Sequence, residues 1–420
     1  MSKRCLYCYQ PLNEHEEDDF HERCSLKFFG TKTPPVFNYS LNEMAELAKN
    51  VVERSVAVPG VQPKLSLTIV NDTLADGRSG RLTVVGALGG NYIFKPPSDH
   101  FAEMPQNEHV TMRIAEDVFK LRTVPSSLIR LASGELAYIT RRIDRTSTGE
   151  KIHMLDMFQI LEAFDKYKGS MERIGKALQA YSANTLLDLS YYFELTLFSY
   201  LTGNSDMHLK NFSMINNGGN WELSPAYDLL NVTIVNPSDT EELALTLEGR
   251  KKKLRLENFN TFARNLGMND RQLKNVYSRF SKNKQSAFDW LDQSFLSAEQ
   301  VEAYKALMDK RYAILPEVSK PTTAKKVNIQ TISCVSKKAS HYDAHERIAG
   351  VGGLNDDNSR WKMGVFDVIN AIEQKRIQFQ VSIGGKMVPL VVAVHNGIKY
   401  LKTATDGYSP DNLLHLPECP

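Results

Sequence analysis

Residues 203–214 read Gly-Asn-Ser-Asp-Met-His-Leu-Lys-Asn-Phe-Ser-Met and follow directly on an apolar stretch, 185–202, with helical spacing. Asp206, His208, Lys210 and Asn211 crowd into this one segment, and every one of them is costly to bury without a partner. A fold that accepts such a segment has to give these groups chemistry to do. Asp206 and Asn211 stand five apart, and a further carboxylate follows at Asp228 in Ser224-Pro-Ala-Tyr-Asp. Phosphoryl transfer uses this set: one carboxylate to take the proton of an attacking hydroxyl, an amide and a second carboxylate to hold Mg2+ on nucleotide phosphates. The catalytic loop of protein kinases has the same Asp-to-Asn interval.

A nucleotide also needs a cover for its phosphates and a lysine. Ser55-Val-Ala-Val-Pro-Gly60-Val-Gln62-Pro-Lys64 precedes a strand and suits the cover. Lys95 ends the run Tyr92-Ile-Phe-Lys, and Glu108 opens the next helical pattern, where it can pair with Lys95. Taken singly, these residues have plainer explanations: a turn or cap for Asp206 and Asn211, a solvated strand end for Lys95, a first-turn carboxylate for Glu108. The order of all of them along the chain points to a kinase.

Patterning agrees with two lobes. Residues 65–70, 81–85 and 92–95 read as strands, 107–119 as a helix, and 128–142 as strand again around a Ser-Gly turn. Beyond residue 150, helices are predicted over 155–165, 170–181, 185–202, 270–295 and 297–315, with loops and short strands over 203–250. Strands first and helices after make an α+β chain, with the cleft between lobes as the ligand site. The spacing predicts a kinase N-lobe over 31–140 and a C-lobe over 141–316, a Lys/Ser/Thr-rich linker over 317–340, and a separate α+β unit over 341–420 with a helix at 361–375 and strands at 377–383, 388–394 and 398–402.

The first thirty residues stand apart. Cys5-x2-Cys8 and His21-x2-Cys24 offer three thiolates and one imidazole, a full tetrahedral set for structural Zn2+ with no position left open for catalysis. The metal would hold together a module, 1–30, too small to fold alone. The five cysteines, at 5, 8, 24, 334 and 419, are odd in number and unevenly placed, which argues against a disulfide framework. The N-terminus lacks a signal-type apolar segment and no apolar run reaches membrane-spanning length, so a cytoplasmic location and no membrane partner are expected. A formal net charge of +2 on 420 residues gives no sign of nucleic-acid binding.

The segments Ser-Asp-Met-His-Leu-Lys-Asn-Phe-Ser, Leu-Ser-Pro-Ala-Tyr-Asp-Leu-Leu, Gly-Val-Gln-Pro-Lys-Leu-Ser-Leu, Asn-Glu-His and Arg-Arg-Ile-Asp-Arg together resemble the HipA family of bacterial toxin kinases over about residues 30–316. The resemblance implies a bilobal serine/threonine protein kinase using ATP and Mg2+. It implies an antitoxin partner, with DNA reached only through that partner, and an aminoacyl-tRNA synthetase as target. On that resemblance Asp206 is the catalytic base, Asn211 and Asp228 are Mg2+ ligands, Lys95 is the nucleotide lysine, and Lys210 faces the γ-phosphate. His208 braces the loop, Gly60, Gln62 and Lys64 belong to the phosphate loop, and Arg141 and Ile143 lie at the hinge that meets adenine. Asp156 and Gln159 match a further motif with a structural part.

The chain departs from the pattern in three places. Ala57 stands where many members carry a phosphorylatable serine, so inhibitory autophosphorylation is expected at Ser55. The Cys/His module replaces the N-terminal domain of longer members. Residues 341–420 resemble a small bacterial domain of unknown function, for which binding of substrate or antitoxin is the expectation. A small-molecule kinase would use the same catalytic set, and an inactive kinase fold could serve as a corepressor, with the basic run Arg250-Lys-Lys-Lys-Leu-Arg255 touching phosphates.

Overall fold

The computed structural model describes residues 3–13, 18–44, 46–47, 64–73, 79–85, 89–98, 101–146, 148–316, 328–338, 344, 347–355, 357–374, 377–395, 397–406 and 410–420. Ser55, Ala57, Gly60 and Gln62 lie outside them. The chain forms two compact units, Met1–Val318 and Ser319–Pro420.

The first unit opens with the Cys/His segment and the helix α1 (Glu22–Phe29). An antiparallel five-stranded sheet follows, with spatial order β2 (Ser79–Val85), β1 (Leu65–Thr73), β3 (Tyr92–Lys95), β5 (Leu136–Arg141), β4 (Ser126–Arg130). Alternation along β3 sends Tyr92 and Phe94 to one face, where Tyr92 meets Phe28 and Phe29 and Phe94 meets Phe37. The opposite face of β3 carries Lys95.

Between β3 and β4 runs α2 (Met104–Arg113), with Pro105 in its first turn. It contacts β4 and β5 on one side and α6 (Asp270–Asp292) on the other. Residues 107–113 are all buried, as expected of a helix enclosed all round. The helix predicted over 107–119 starts earlier and changes character at Ile114, where a π turn runs to Val118 and keeps Ile114, Ala115 and Val118 in the core.

The second lobe is built on α3 (Met171–Tyr181), α4 (Thr185–Leu201), α5 (Leu256–Asn265), α6 and α7 (Ala298–Tyr312), with a three-stranded sheet β6 (Met154–Asp156), β7 (Ser213–Asn217), β8 (Asn220–Leu223). Where a helix is predicted over 155–165, the chain makes β6 and a single helical turn, Met157–Ile160. Asp156 accepts from the Gln159 backbone and Gln159 reciprocates, a capping box that starts the turn. Glu162 in the left-handed region (φ 49°) helps take the chain out of it. The sequence reading missed α5, although Phe259, Phe262 and Ala263 give it an apolar face at helical spacing.

Three expectations about organisation are corrected. The N-terminal segment is not a separate body: Cys5, Leu6, Tyr7 and Tyr9 belong to the same buried core as both lobes, and the Leu128 amide donates to the Leu6 carbonyl. The predicted linker contains a strand, β9 (Asn328–Lys337), which lies inside the second unit's six-stranded sheet β11-β10-β9-β12-β13-β14. Cys334 and Cys419 are joined by a disulfide, and this ties β9 to the C-terminal residues whose Cys419 amide donates to the Val335 carbonyl.

In that sheet β9 pairs parallel with β12 (Ile377–Ile383) and antiparallel with β10 (Ile348–Leu354). The helix predicted over 361–375 begins as strand β11 (Arg360–Gly364), because Trp361 and Met363 alternate with Lys362 against Gly353 and Val351 of β10. The helix α8 follows only at Val365–Glu373. β13 (Lys386–His395) and β14 (Ile398–Thr403) complete the sheet.

The glycines of Ile348-Ala-Gly-Val-Gly-Gly are required by close approach. A Cβ on Gly353 would stand 2.1 Å from the Thr331 carbonyl oxygen, beside the register shift between Gly352 and Gly353. A backbone oxygen cannot move aside without breaking the β9–β10 ladder. Gly353→Ala is therefore expected to cost about 3 kcal/mol of second-unit stability. Amide exchange on the full chain should show protection lost over 328–354 and retained over 185–201; unchanged protection in 328–354 would refute this account.

Candidate active site

Four segments converge at the end of β3. The Lys95 ammonium donates to Glu108 Oε1 on α2 at 2.6 Å and to Asp228 Oδ1. Lys64 reaches the other Asp228 oxygen at 3.2 Å. Lys95 and Glu108 are nearly inaccessible, with side chains 5% and 4% exposed, while Asp228 is 20% exposed and so marks the open side. The Lys95 ammonium also lies 5.2 Å from the centre of the Tyr138 ring, directly across the strand pair.

Asp228 adopts the left-handed region (φ 56°), a strained choice for a residue with a side chain. The strain is held from both sides. Asn204 donates to its carbonyl at 3.4 Å, and Asn231 exchanges two hydrogen bonds with Asn107 of α2: its amide donates to Asn107 Oδ1 at 2.8 Å and its carbonyl accepts from Asn107 Nδ2 at 3.0 Å. Gly203 (φ 75°) closes this corner, where a Cβ would meet Leu307 at 2.3 Å and Asn231 at 2.7 Å.

After α4 the chain enters the loop noted at the outset. Asn211 Nδ2 donates to the Asp206 carbonyl at 2.9 Å, which leaves its amide oxygen as the atom for a cation. Asp206 Oδ1 accepts from the Tyr167 hydroxyl at 2.8 Å. His208 packs edge-on against the Tyr167 ring at 5.1 Å, and burial holds its imidazole neutral by lowering its pKa. Lys210 places its ammonium 4.8 Å over the Phe158 ring, while its carbonyl accepts from Tyr227.

Charges set the protonation states. Burial opposes the charge on Lys95, and the two carboxylates overcome it, so its pKa rises. Burial likewise opposes ionisation of Asp228, and Lys64 and Lys95 outweigh it, so this carboxyl ionises well below the usual range. Burial pushes Glu108 up to about 7 in spite of Lys95.

Just after β5, Arg142 forks onto Asp144 at 2.9 and 2.7 Å, and Arg145 adds a contact at 2.6 Å. Arg141 pairs across the strands with Tyr92, so the pleat places it on the face opposite Lys95; a Cβ on Gly30 would lie 3.9 Å from its guanidinium. Ile143 is half-buried against the core.

The sequence reading missed Tyr167, Asn204 and Asn231, which no spacing rule singles out. Asn107 stood in the Asn-Glu-His segment without a role of its own.

Cys5, Cys8, His21 and Cys24 come together as expected, with all four ligand atoms within 4.8 Å of one another. Cys8 Sγ and Cys24 Sγ lie 3.4 and 3.9 Å from His21 Nδ1, near the separation of about 3.6 Å that a Zn–S and a Zn–N bond impose at the tetrahedral angle. His21 Nε2 donates to the Pro11 carbonyl at 3.0 Å, which selects the tautomer whose Nδ1 lone pair faces the thiols.

A strand lysine tied to a helix carboxylate and to an aspartate of the facing lobe, with an Asp-Asn loop beside them, defines a kinase-like two-lobed protein. By its sequence the chain belongs to the HipA-like C-terminal domain family, which matches residues 56–288. Residues 331–417 match a domain described only as a protein of unknown function, DUF3892. A putative kinase of Haemophilus influenzae is 25% identical over 353 residues, covering 76% of this chain and 98% of that protein. The putative kinase Y4dM of Sinorhizobium fredii is 34% identical over 50% of this chain and 52% of its own length. The serine/threonine-protein kinase toxin HipA of Shewanella oneidensis is 24% identical over 46% of this chain and 47% of its own length. The solved complex of a Shewanella oneidensis HipA with HipB and operator DNA shares the fold, with a TM-score of 0.52 at 22% identity over 66% of this chain and 71% of that one.

Because the Glu108 carboxyl is raised, the folded chain keeps a proton that the unfolded chain has released between the ordinary value of 4.5 and about 7. Its contribution to stability is therefore greatest at low pH and is lost as pH rises through about 7. Relative to Glu108→Gln, the wild type should lose roughly 1 kcal/mol per pH unit over that window, read from denaturant midpoints. A difference that stays flat with pH would refute the assignment.

Proposed function

We propose that this chain is an ATP-dependent serine/threonine protein kinase acting as the toxin of a toxin–antitoxin pair, with an aminoacyl-tRNA synthetase as its target and an antitoxin that links it to DNA. The observation that carries the catalytic part is the Lys95 bridge between Glu108 and Asp228, set beside the Asp206–Asn211 loop. Family membership and the kinase relatives support the toxin reading. ATP as donor supports a cytoplasmic location, and no helix among the described residues is long and apolar enough to cross a membrane.

The residues fit the task as follows. Lys95, desolvated and oriented by Glu108, presents its charge to the α and β phosphates. Asn211 and Asp228 supply the oxygen ligands that a bound Mg2+ prefers, and the ion would offset phosphate charge. Tyr167 occupies one oxygen of Asp206 and fixes the carboxylate's rotation, so the other oxygen can accept the proton of the acceptor serine. The serine oxygen then bonds to the γ-phosphorus, the bond to the bridging oxygen breaks, and ADP leaves. Neutral His208 braces Tyr167. Lys210, swung from Phe158, would face the γ-phosphate. Lys64 belongs to the phosphate loop that carries Gly60 and Gln62, and a phosphate on Ser55 would set about two negative charges against those of ATP and silence the enzyme.

Cys5, Cys8, His21 and Cys24 hold structural Zn2+ on this reading, and purified protein should carry about one zinc per chain by elemental analysis.

With labelled ATP in a cell lysate, the wild type should label a synthetase, and Asp206→Asn should reduce the rate by at least about 100-fold. Labelling that survives in Asp206→Asn would exclude Asp206 as the base. Label confined to small molecules would instead make the chain a metabolite kinase, and no turnover at all would make it a binding protein.

A further inference from the structure

The N-terminal knuckle does more than close on itself. The Cys5 carbonyl accepts from the Tyr9 amide at 2.9 Å and the Cys5 amide donates to Gln10 at 3.0 Å, so the turn that brings the two cysteines together also fixes the next residue. Tyr9 takes the left-handed region (φ 63°) and is fully buried. Its hydroxyl meets His109 Nδ1 of α2 at 2.8 Å, and its ring lies edge-on to His109, Trp290 and Phe295.

Two more contacts follow the same stripe of helix. The Arg113 guanidinium lies 4.5 Å from the centre of the Tyr7 ring, and Lys27 of α1 pairs with Glu116 at 3.5 Å. Residues 109, 113 and 116 are spaced four and three apart, so they form one face along α2 and its π turn. Glu108, immediately before His109, leaves that stripe for Lys95. The knuckle thus grips one face of α2 while another presents the catalytic-site carboxylate.

We infer that the Cys5/Cys8/His21/Cys24 site is a metal-dependent brace for the Glu108 helix, with Tyr9 as the positioning residue that transmits it. A bound Zn2+ fixes the Cys5–Cys8 turn, the turn fixes Tyr9, and Tyr9 sets the azimuth of α2 through His109. Without the metal, α2 loses its outer support and the Lys95–Glu108 pair loosens. The metal therefore tunes nucleotide affinity without touching the nucleotide. This inference rests on the zinc reading above, and its effect on ATP rests on the kinase reading.

The test uses the full-length protein in three states: zinc-loaded wild type, chelator-stripped wild type, and zinc-loaded Tyr9→Phe. Tyr9→Phe keeps the ring and the metal ligands, so it should retain about one zinc per chain by colorimetric release. It should lose about tenfold in amide-exchange protection over 104–118, as expected for one buried hydrogen bond, with 185–201 unchanged. Its ATP dissociation constant should rise several-fold, and KM for ATP should move more than kcat. Stripping the wild type should reproduce these changes and zinc should reverse them, while stripping Tyr9→Phe should add little, since both act through one contact.

Three results would overturn the inference: wild type that retains no zinc, Tyr9→Phe with wild-type exchange over 104–118, or losses from stripping and substitution that add in full. If no state binds ATP, the kinase reading fails, and exchange over 104–118 still decides whether the brace exists.

Discussion

A buried lysine is tolerable only where carboxylates meet it, and Lys95 is met by one from each side of the cleft, Glu108 and Asp228. This three-way contact sets conditions on everything around it. β3 must end where it does, α2 must be sealed on all sides so that Glu108 stays dry, and Asp228 must accept a left-handed backbone to turn its carboxylate inward. Removing Lys95 would strip Glu108 of its ion-pair partner, while Asp228 would keep Lys64. Such a cluster is a poor way to stabilise a protein, since well-packed apolar groups would do as well. On the proposed function the cluster is a binding device, in which Lys95 exchanges Asp228 for phosphate.

Support for the cluster comes from uncharged residues. The reciprocal Asn107–Asn231 pair ties α2 to the segment after Asp228, and Gly203 lets Asn231 and Leu307 close over the start of the Asp206–Asn211 loop. Tyr167 and His208 play the same part for Asp206. These contacts limit the rotation of the side chains that they hold.

The second unit follows a different logic. Its sheet joins two runs of consecutive antiparallel strands, β9-β10-β11 and β12-β13-β14, through the parallel pairing of β9 with β12, and its glycines allow backbone to approach backbone where β10 lies against β9 and β11. Cys334 and Cys419, 85 residues apart, close the ends of that unit on each other. Uneven spacing concealed the pair because disulfide partners are chosen by tertiary approach, which cysteine counting does not see.

Local pattern by itself determined a good deal here. The helices 171–181, 185–201, 270–292 and 298–312 were legible because an apolar face repeats at helical spacing, and the pairing of Lys95 with Glu108 was legible from their order along the chain. The Cys5/Cys8/His21/Cys24 set was legible from two short spacings. Other features were decided only by tertiary structure. The segment 361–364 became strand rather than helix because β10 offered it an edge, and 328–337 became strand rather than linker because β12 and β10 flanked it. The N-terminal module merged with the kinase core because Tyr9 found His109 and Trp290. In each case a tertiary partner outweighed weak local preference, whether the neighbouring strand of a hairpin, as for 361–364, or a residue a hundred positions away, as for Tyr9.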